Sequence, residues 1–214
     1  MDELNHYRHV VVEGNIGSGK TSLAKMLAER WNARLLLETF EDNPFLPKFY
    51  QEPERYGFPV ELTFLAERYH QKKETSAQTD LFQPRLVADY MFSKSLIFAQ
   101  INLSEDEFQL YRSLFQIIHE RLPKPDLIVF LHCSPEQALK NIAKRGRSYE
   151  ESIQLEYLES INRGYLEHFR SMKDQRLLVI DSSGLDFVNN EADFKWLLDR
   201  IESPMEEKMF TVTR

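Results

Sequence analysis

Gly14-Asn15-Ile16-Gly17-Ser18-Gly19-Lys20-Thr21 sets the terms on which the rest of the chain is read. It follows the apolar run Val10-Val11-Val12 and leads into Ser22-Leu23-Ala24-Lys25-Met26-Leu27-Ala28, so a strand, a tight turn and a helix succeed one another. The stretch satisfies G-x-x-x-x-G-K-[ST], in which backbone N–H groups and a helix N-terminus converge on phosphate oxygens. Lys20, expected in an exposed loop, is placed to reach the β- and γ-phosphates, and the Thr21 hydroxyl to hold Mg²⁺. The three glycines let the backbone wrap an anion without Cβ clashes. A glycine-rich turn that merely joins a strand to a helix rarely carries Lys-Thr at this spacing.

On either side of this loop, apolar strands alternate with amphipathic helices. Residues 8–13 read as the first strand and the following helix runs to about Trp31. A short strand, Arg34 to Leu37, delivers Glu38 at its C-terminal end, where open α/β sheets place ligands. Pro44, Pro47, Pro53, Pro59 and Gly57 punctuate 39–59 as irregular or short-helical chain, and a helix is expected from Val60 to about Lys73. Arg85 to Asp89 reads as a strand ending in a carboxylate, followed by helices at about 91–101 and, after Ser104 with Glu107 three residues on, from Glu105 to Arg121. Leu127 to Leu131 is apolar enough to be a strand buried on both faces. Ser134-Pro135 starts a helix ending near Arg145, another is expected over 150–172, then a strand at 177–181 and a helix at 191–201. This order predicts an α/β fold, a P-loop NTPase-type three-layer sandwich with a central parallel sheet of about five strands. Residues 1–202 are expected to form one domain, with 203–214 a loosely attached tail.

The chain has 214 residues, 42% hydrophobic and 29% charged, the balance of an ordinary globular protein. A net charge of -7 argues against a nucleic-acid polymer as partner, because phosphate backbones are held by clustered Lys and Arg. The bound anion should be small and locally cradled. Cys133 stands alone, so no intrachain disulfide is available and a cysteine metal site is excluded. No apolar run reaches the roughly 20 residues that span a bilayer, and Met1 to Asn5 lacks the pattern of a signal peptide, so no membrane partner and a cytoplasmic location are expected.

Further stretches narrow the class. Glu38, then Asp42-Asn43-Pro44-Phe45-Leu46-Pro47-Lys48-Phe49-Tyr50, Glu52-Pro53-Glu54-Arg55-Tyr56 and Phe64-Leu65-Ala66-Glu67-Arg68 resemble the deoxynucleoside kinase family. So do Ile97-Phe98-Ala99, Pro125-Asp126-Leu127-Ile128 and Lys144-Arg145-Gly146-Arg147-Ser148-Tyr149-Glu150-Glu151, in order over about 8–200. The resemblance implies transfer of the γ-phosphate of ATP, with Mg²⁺, to the 5′-hydroxyl of a deoxynucleoside. It implies that Glu38 is the general base, a place that a carboxylate at the tip of the strand beside the phosphate loop can fill on physical grounds also. It implies that Arg145 and Arg147 belong to a mobile lid, that Glu150 and Tyr50 bind the sugar 3′-hydroxyl, and that Phe98 stacks on the base. Asp186 and Phe187 match a loop over the donor adenine. Family members usually dimerise, and apolar positions around 62–69 and 108–118 could serve.

The pattern breaks at the acceptor side. The family usually has Asp/Glu-Arg-Ser/Thr after the third strand; here Val87-Ala88-Asp89-Tyr90 leaves no arginine. Counted without a gap, Ala88 takes the carboxylate position; with one deletion Asp89 does, as a magnesium-side acid, and this second count is preferred. Glu61 stands where the family has a base-reading Gln, and Lys94 where many members have an Asp. Seven residues apart on one helix, Glu61 and Arg68 can face one cavity. A carboxylate can accept the N1–H and 2-amino group of guanine, with Arg68 or Lys94 on its O6 and N7, whereas Glu61 and Lys94 pairing with each other would merely fill the space. The leading expectation is thus a deoxynucleoside kinase, with deoxyguanosine the favoured acceptor. The alternatives are a catalytically weak relative that binds nucleotide as a sensor or partner module, and a kinase for another small acceptor.

Overall fold

In the computed structural model, which describes residues 7–39, 43–77, 85–119, 124–172, 175–203 and 208–213, the strand before the phosphate loop is the axis of the sheet. That strand, β1 (His9–Gly14), pairs with β3 (Leu86–Ala88) on one side and β4 (Leu127–His132) on the other. The full order is β2-β3-β1-β4-β5-β6, every neighbour parallel, with β2 at Arg34–Leu36, β5 at Leu177–Asp181 and β6 at Met209–Val212. Alternate side chains of the central strands enter two separate cores, as a strand covered on both faces requires. Val10, Val12, Leu127, Val129 and Leu131 pack with α1 (Lys20–Arg30) and α8 (Glu191–Glu202). Val11, Ile128 and Phe130 pack on the other face with α4 (Lys94–Asn102), α6 (Pro135–Arg145) and α7 (Leu155–Ser171). Two further helices, α3 (Pro53–Ala77) and α5 (Glu105–His119), close a satellite core around Leu65, Phe92, Tyr111 and Phe115, and α2 (Leu46–Phe49) lies against α3.

The three-layer parallel architecture is as the sequence pattern predicts, with differences that have local causes. The sheet has six strands, because Met209–Val212, within the stretch expected to be a loose tail, pairs along β5 from Leu177↔Met209 to Ile180↔Val212. The helix expected from Val60 starts at Pro53 and passes through Gly57 and Pro59. Pro53 occupies the first position, where its missing N–H has no partner to lose. Gly57 is there for contact rather than for a turn, since a Cβ on it would lie 2.7 Å from the carbonyl oxygen of Asn102. The segment expected as one helix over 150–172 is a 3₁₀ turn, Ser148–Glu150, followed by α7. The expected start at 91 moves to Lys94, and the end of the helix expected to reach Arg121 lies outside the described residues, as does Asp42. The N-cap at Ser134 forms, its hydroxyl accepting from the Gln137 N–H at 3.2 Å, and Glu107 reaches back to the Ser104 N–H at 3.0 Å.

Candidate active site

The loop at residues 14–21 is held in shape from two helices. Gly17 and Gly19 adopt φ of 79° and 87°, open to glycine, and a Cβ at Gly17 would lie 2.6 Å from the Ala138 carbonyl of α6. Asn141 of α6 donates to the Gly17 carbonyl at 2.8 Å. Asn15 is fully buried; its side chain accepts from the Ile16 N–H and donates to the Leu158 carbonyl and Asn162 of α7, so it works as a strut behind the loop. Gly14 likewise serves close packing, since a Cβ there would collide with Ser18 and the Leu131 carbonyl. Ile16, Ser18 and Gly19 line the open face, and the ring of Phe187 lies against Gly19.

Lys20 is not in an exposed loop. It is the first residue of α1, half-buried, with Nζ donating to the Asn15 carbonyl at 3.3 Å. Burial, and then repulsion from Lys94, bring its pKa down to about 8 against the pull of Glu38, Glu13 and Asp89.

Glu38 lies just beyond β2, and both of its oxygens are held by cations. Oε1 accepts from Arg68 Nε and Nη2 at 2.8 and 2.6 Å, and Oε2 from Lys94 Nζ at 2.7 Å. Burial alone would raise its pKa, but Lys94 and then Arg68 hold it well below the usual carboxylate range. Asp89, one residue past β3, bridges two elements: Oδ2 accepts from the Thr21 hydroxyl at 2.6 Å and Oδ1 from the Glu38 N–H at 2.7 Å. A carboxylate thus stands beside Thr21 at the strand end.

The pairing across α3 and α4 differs from that expected between Glu61 and Lys94. Glu61, Arg68 and Lys94 are 2%, 3% and 5% exposed, and all line the same cavity. Lys94 pairs with Glu38 rather than Glu61, and Arg68 directs its Nη1 to Ser95 and its remaining bonds to Glu38. A buried carboxylate attracts whichever ammonium and guanidinium can reach it, and Glu38, not Glu61, is the one that both reach. Glu61 instead accepts from Asn102 Nδ2 at 2.7 Å, and burial pushes its pKa up to about 7 despite Arg68. Phe98 is half-buried, with the Lys94 ammonium 5.2 Å from its ring centroid and its ring facing the cavity wall.

The residues after α6 fold onto themselves. Glu150 takes Arg145 Nε and Nη2 on Oε2 at 3.1 and 2.6 Å, and Arg147 Nη1 on Oε1 at 3.2 Å. Gly146, at φ 71°, turns the chain between the two arginines. Tyr50 stacks on Tyr149 with centroids 6.3 Å apart, and burial together with the Glu150 charge raises its hydroxyl pKa. Opposite, Asp186 accepts from Asn189 Nδ2 and donates its N–H to Asp193 at 2.8 Å, which shapes the loop carrying Phe187. The phosphate loop, Glu38, Arg145, Arg147, Tyr50, Glu61 and the 182–189 loop all border one cavity of about 960 Å³.

Some functional neighbours escaped the sequence reading. Glu13 is wholly buried and accepts from the Met91 N–H at 2.6 Å and the Tyr165 hydroxyl at 2.8 Å, tying β1 to α7 and to the segment before α4. A charge closing the run Val10-Val11-Val12 was its visible signal. Asn102, Asn141 and Asn162 had none, because a lone Asn in a helix does not disclose its partner.

A parallel three-layer sheet with this loop, a Thr–carboxylate pair and two arginines following α6 defines a P-loop nucleotide-dependent phosphotransferase. The sequence model of deoxynucleoside kinase matches residues 10–206. The chain belongs to the deoxynucleoside kinase family. It is 34% identical over 196 residues to a deoxyguanosine kinase of Bacillus subtilis, covering 90% of this chain and 95% of the relative. With a deoxyguanosine kinase of Lactobacillus acidophilus it shares 32% over 212 residues, 92% of this chain and 91% of the relative. In fold it is similar to the structure of deoxyadenosine kinase from M. mycoides with bound dATP, at a TM-score of 0.78 and 21% identity, over 91% of this chain and all of the other.

Proposed function

We propose that the protein transfers the γ-phosphate of ATP to the 5′-hydroxyl of a deoxynucleoside, with deoxyguanosine the preferred acceptor, as a cytoplasmic salvage enzyme. The observation that carries this reading is the single cavity bordered by the phosphate loop, by Glu38 and by the aromatic and polar wall of Tyr50, Glu61 and Phe98. A donor phosphate and an acceptor hydroxyl can meet there on one carboxylate. The loop N–H groups and Lys20 would hold the phosphates, and Phe187 would cover the donor base. Thr21 and Asp89, an oxygen pair already 2.6 Å apart, suit Mg²⁺, which is held by few protein oxygens plus phosphate and supplies neutralisation of the charge on the transferring group.

Glu38 is kept ionised by Arg68 and Lys94, so it can accept the hydroxyl proton only late, as the oxygen bonds to phosphorus and becomes acidic. Arg145 and Arg147 would leave Glu150 in part, offering their N–H groups to the equatorial oxygens, while Glu150 and Tyr50 turn to the 3′-hydroxyl. Exposed Leu62, Leu110 and Ile117 on α3 and α5 suit a homodimer contact. Wild-type protein with ATP, Mg²⁺ and each of the four deoxynucleosides should yield 5′-monophosphate and ADP in equal amounts, fastest with deoxyguanosine. ATP binding without turnover on any acceptor would leave the sensor reading instead.

A further inference from the structure

Two amide side chains of α6 border the cavity beside the phosphate loop and take no part in the chemistry described above. Gln137 and Asn141, one helical turn apart and both half-buried, form a directed pair. Gln137 Nε2 donates to Asn141 Oδ1 at 3.0 Å, and Asn141 Nδ2 donates to the Gly17 carbonyl at 2.8 Å. An amide offers donors on one side and an acceptor on the other, so the first bond fixes which end of Asn141 faces the loop. The loop also packs closely on α6 here, since a Cβ on Gly17 would meet both the Ala138 carbonyl and Ile142 Cγ1, the latter at 3.0 Å.

The peptide that joins Gly17 to Ser18 is therefore held at both ends. Its carbonyl goes to Asn141, and its N–H goes to the Asn15 carbonyl at 3.2 Å. In a trans peptide these two groups point in opposite directions, so tying the carbonyl to α6 settles the facing of the whole unit. Glycine at φ 79° opposes little steric resistance to its rotation. Turned inward, the Gly17 carbonyl would bring its negative end towards phosphates, in a loop that binds them by presenting N–H groups.

We propose that Asn141 is a positioning residue for phosphate binding: with Gln137 fixing its amide, it keeps the Gly17 carbonyl turned away from the cradle and so sets the affinity of the loop for the polyphosphate chain, without touching the donor nucleoside. The proposal rests on the reading of residues 14–21 as the phosphate loop and deepens it. Gln137 acts only through Asn141.

The test measures binding of ATP and of inorganic tripolyphosphate by calorimetry, with the Michaelis constants of ATP and deoxyguanosine, for the wild type, Asn141→Ala, Gln137→Ala and the double variant. Asn141→Ala should weaken ATP and tripolyphosphate by the same factor, about tenfold, the worth of one hydrogen bond, while the deoxyguanosine KM stays within about twofold. Gln137→Ala should weaken both by about threefold and add nothing in the Asn141→Ala background. Unchanged phosphate affinity in Asn141→Ala overturns the proposal, as does a loss for ATP that tripolyphosphate does not share, which would put Asn141 on the nucleoside. Full additivity of the two substitutions overturns the relay. Should Asn141→Ala fail to show a cooperative thermal transition, Gln137→Ala decides by the same comparison of ATP with tripolyphosphate. Wild-type protein that binds neither ligand takes down the phosphate-loop reading, and the proposal with it.

Discussion

Glu38 is held by two buried cations, and that arrangement makes its charge state testable. Removing one should let burial reassert itself, so Lys94→Met should raise the Glu38 pKa and move the acid limb of the kcat/KM profile to higher pH, with Lys94→Arg restoring it. The sign follows from the ionised form being the active one: the wild type keeps it to lower pH than an ordinary glutamate. An acid limb unmoved in Lys94→Met would show that the ammonium does not set the base. Lys20 behaves in the opposite sense. Its pKa of about 8 means that the free enzyme loses the phosphate-binding charge as pH rises through 8, so ATP affinity should weaken there, and Lys20→Met should abolish both the turnover and this pH dependence. Thermal stability should be kept or improved, because a half-buried charge repelled by Lys94 is removed. The position of Glu38 could be read from the sequence, since a strand beside a phosphate loop must end somewhere near the chemistry. Its partners could not, because Arg68 and Lys94 are 30 and 56 residues away and become neighbours only when α3 and α4 pack across the strand ends.

Between elements, the Arg145–Glu150 segment and the α3–α4 contact behave as units. Arg147 shares Glu150 with Arg145, so Arg147→Ala should lower turnover with little change in acceptor KM, while Glu150→Gln should raise acceptor KM and blunt rejection of 3′-deoxy analogues. A KM effect alone from Arg147→Ala would place that guanidinium on the acceptor rather than on the transferred group. In Gly57→Ala the new methyl meets the Asn102 carbonyl at 2.7 Å, which should destabilise the fold by about 1–3 kcal/mol in urea unfolding. Elements with strong apolar runs or a glycine loop, β1, β4 and α1, were legible because their burial pattern leaves one choice. The start of α3 was not: Gly57 and Pro59 carry turn propensity, and packing against α4 overrides it. Nor was β6, whose four residues become a strand only through the exposed edge of β5.

Across the whole molecule, one cavity borders both the phosphate loop and the wall of Tyr50, Glu61 and Phe98, and a net charge of -7 surrounds a cation-rich centre. Exposed Leu110 and Ile117, 55% and 71% accessible on α5, lie where a second copy is proposed to dock, so Ile117→Lys should shift the wild-type elution volume towards that of a monomer. No shift in a folded variant would remove α5 from the interface. The central claim is tested most directly by following wild-type protein with ATP, Mg²⁺ and deoxyguanosine by ³¹P NMR. The account predicts a deoxyguanosine 5′-monophosphate resonance growing in step with the ADP signals and suppressed in Glu38→Gln by about 10²-fold or more. Unchanged ATP with every deoxynucleoside offered, or an undiminished rate in Glu38→Gln, would contradict it.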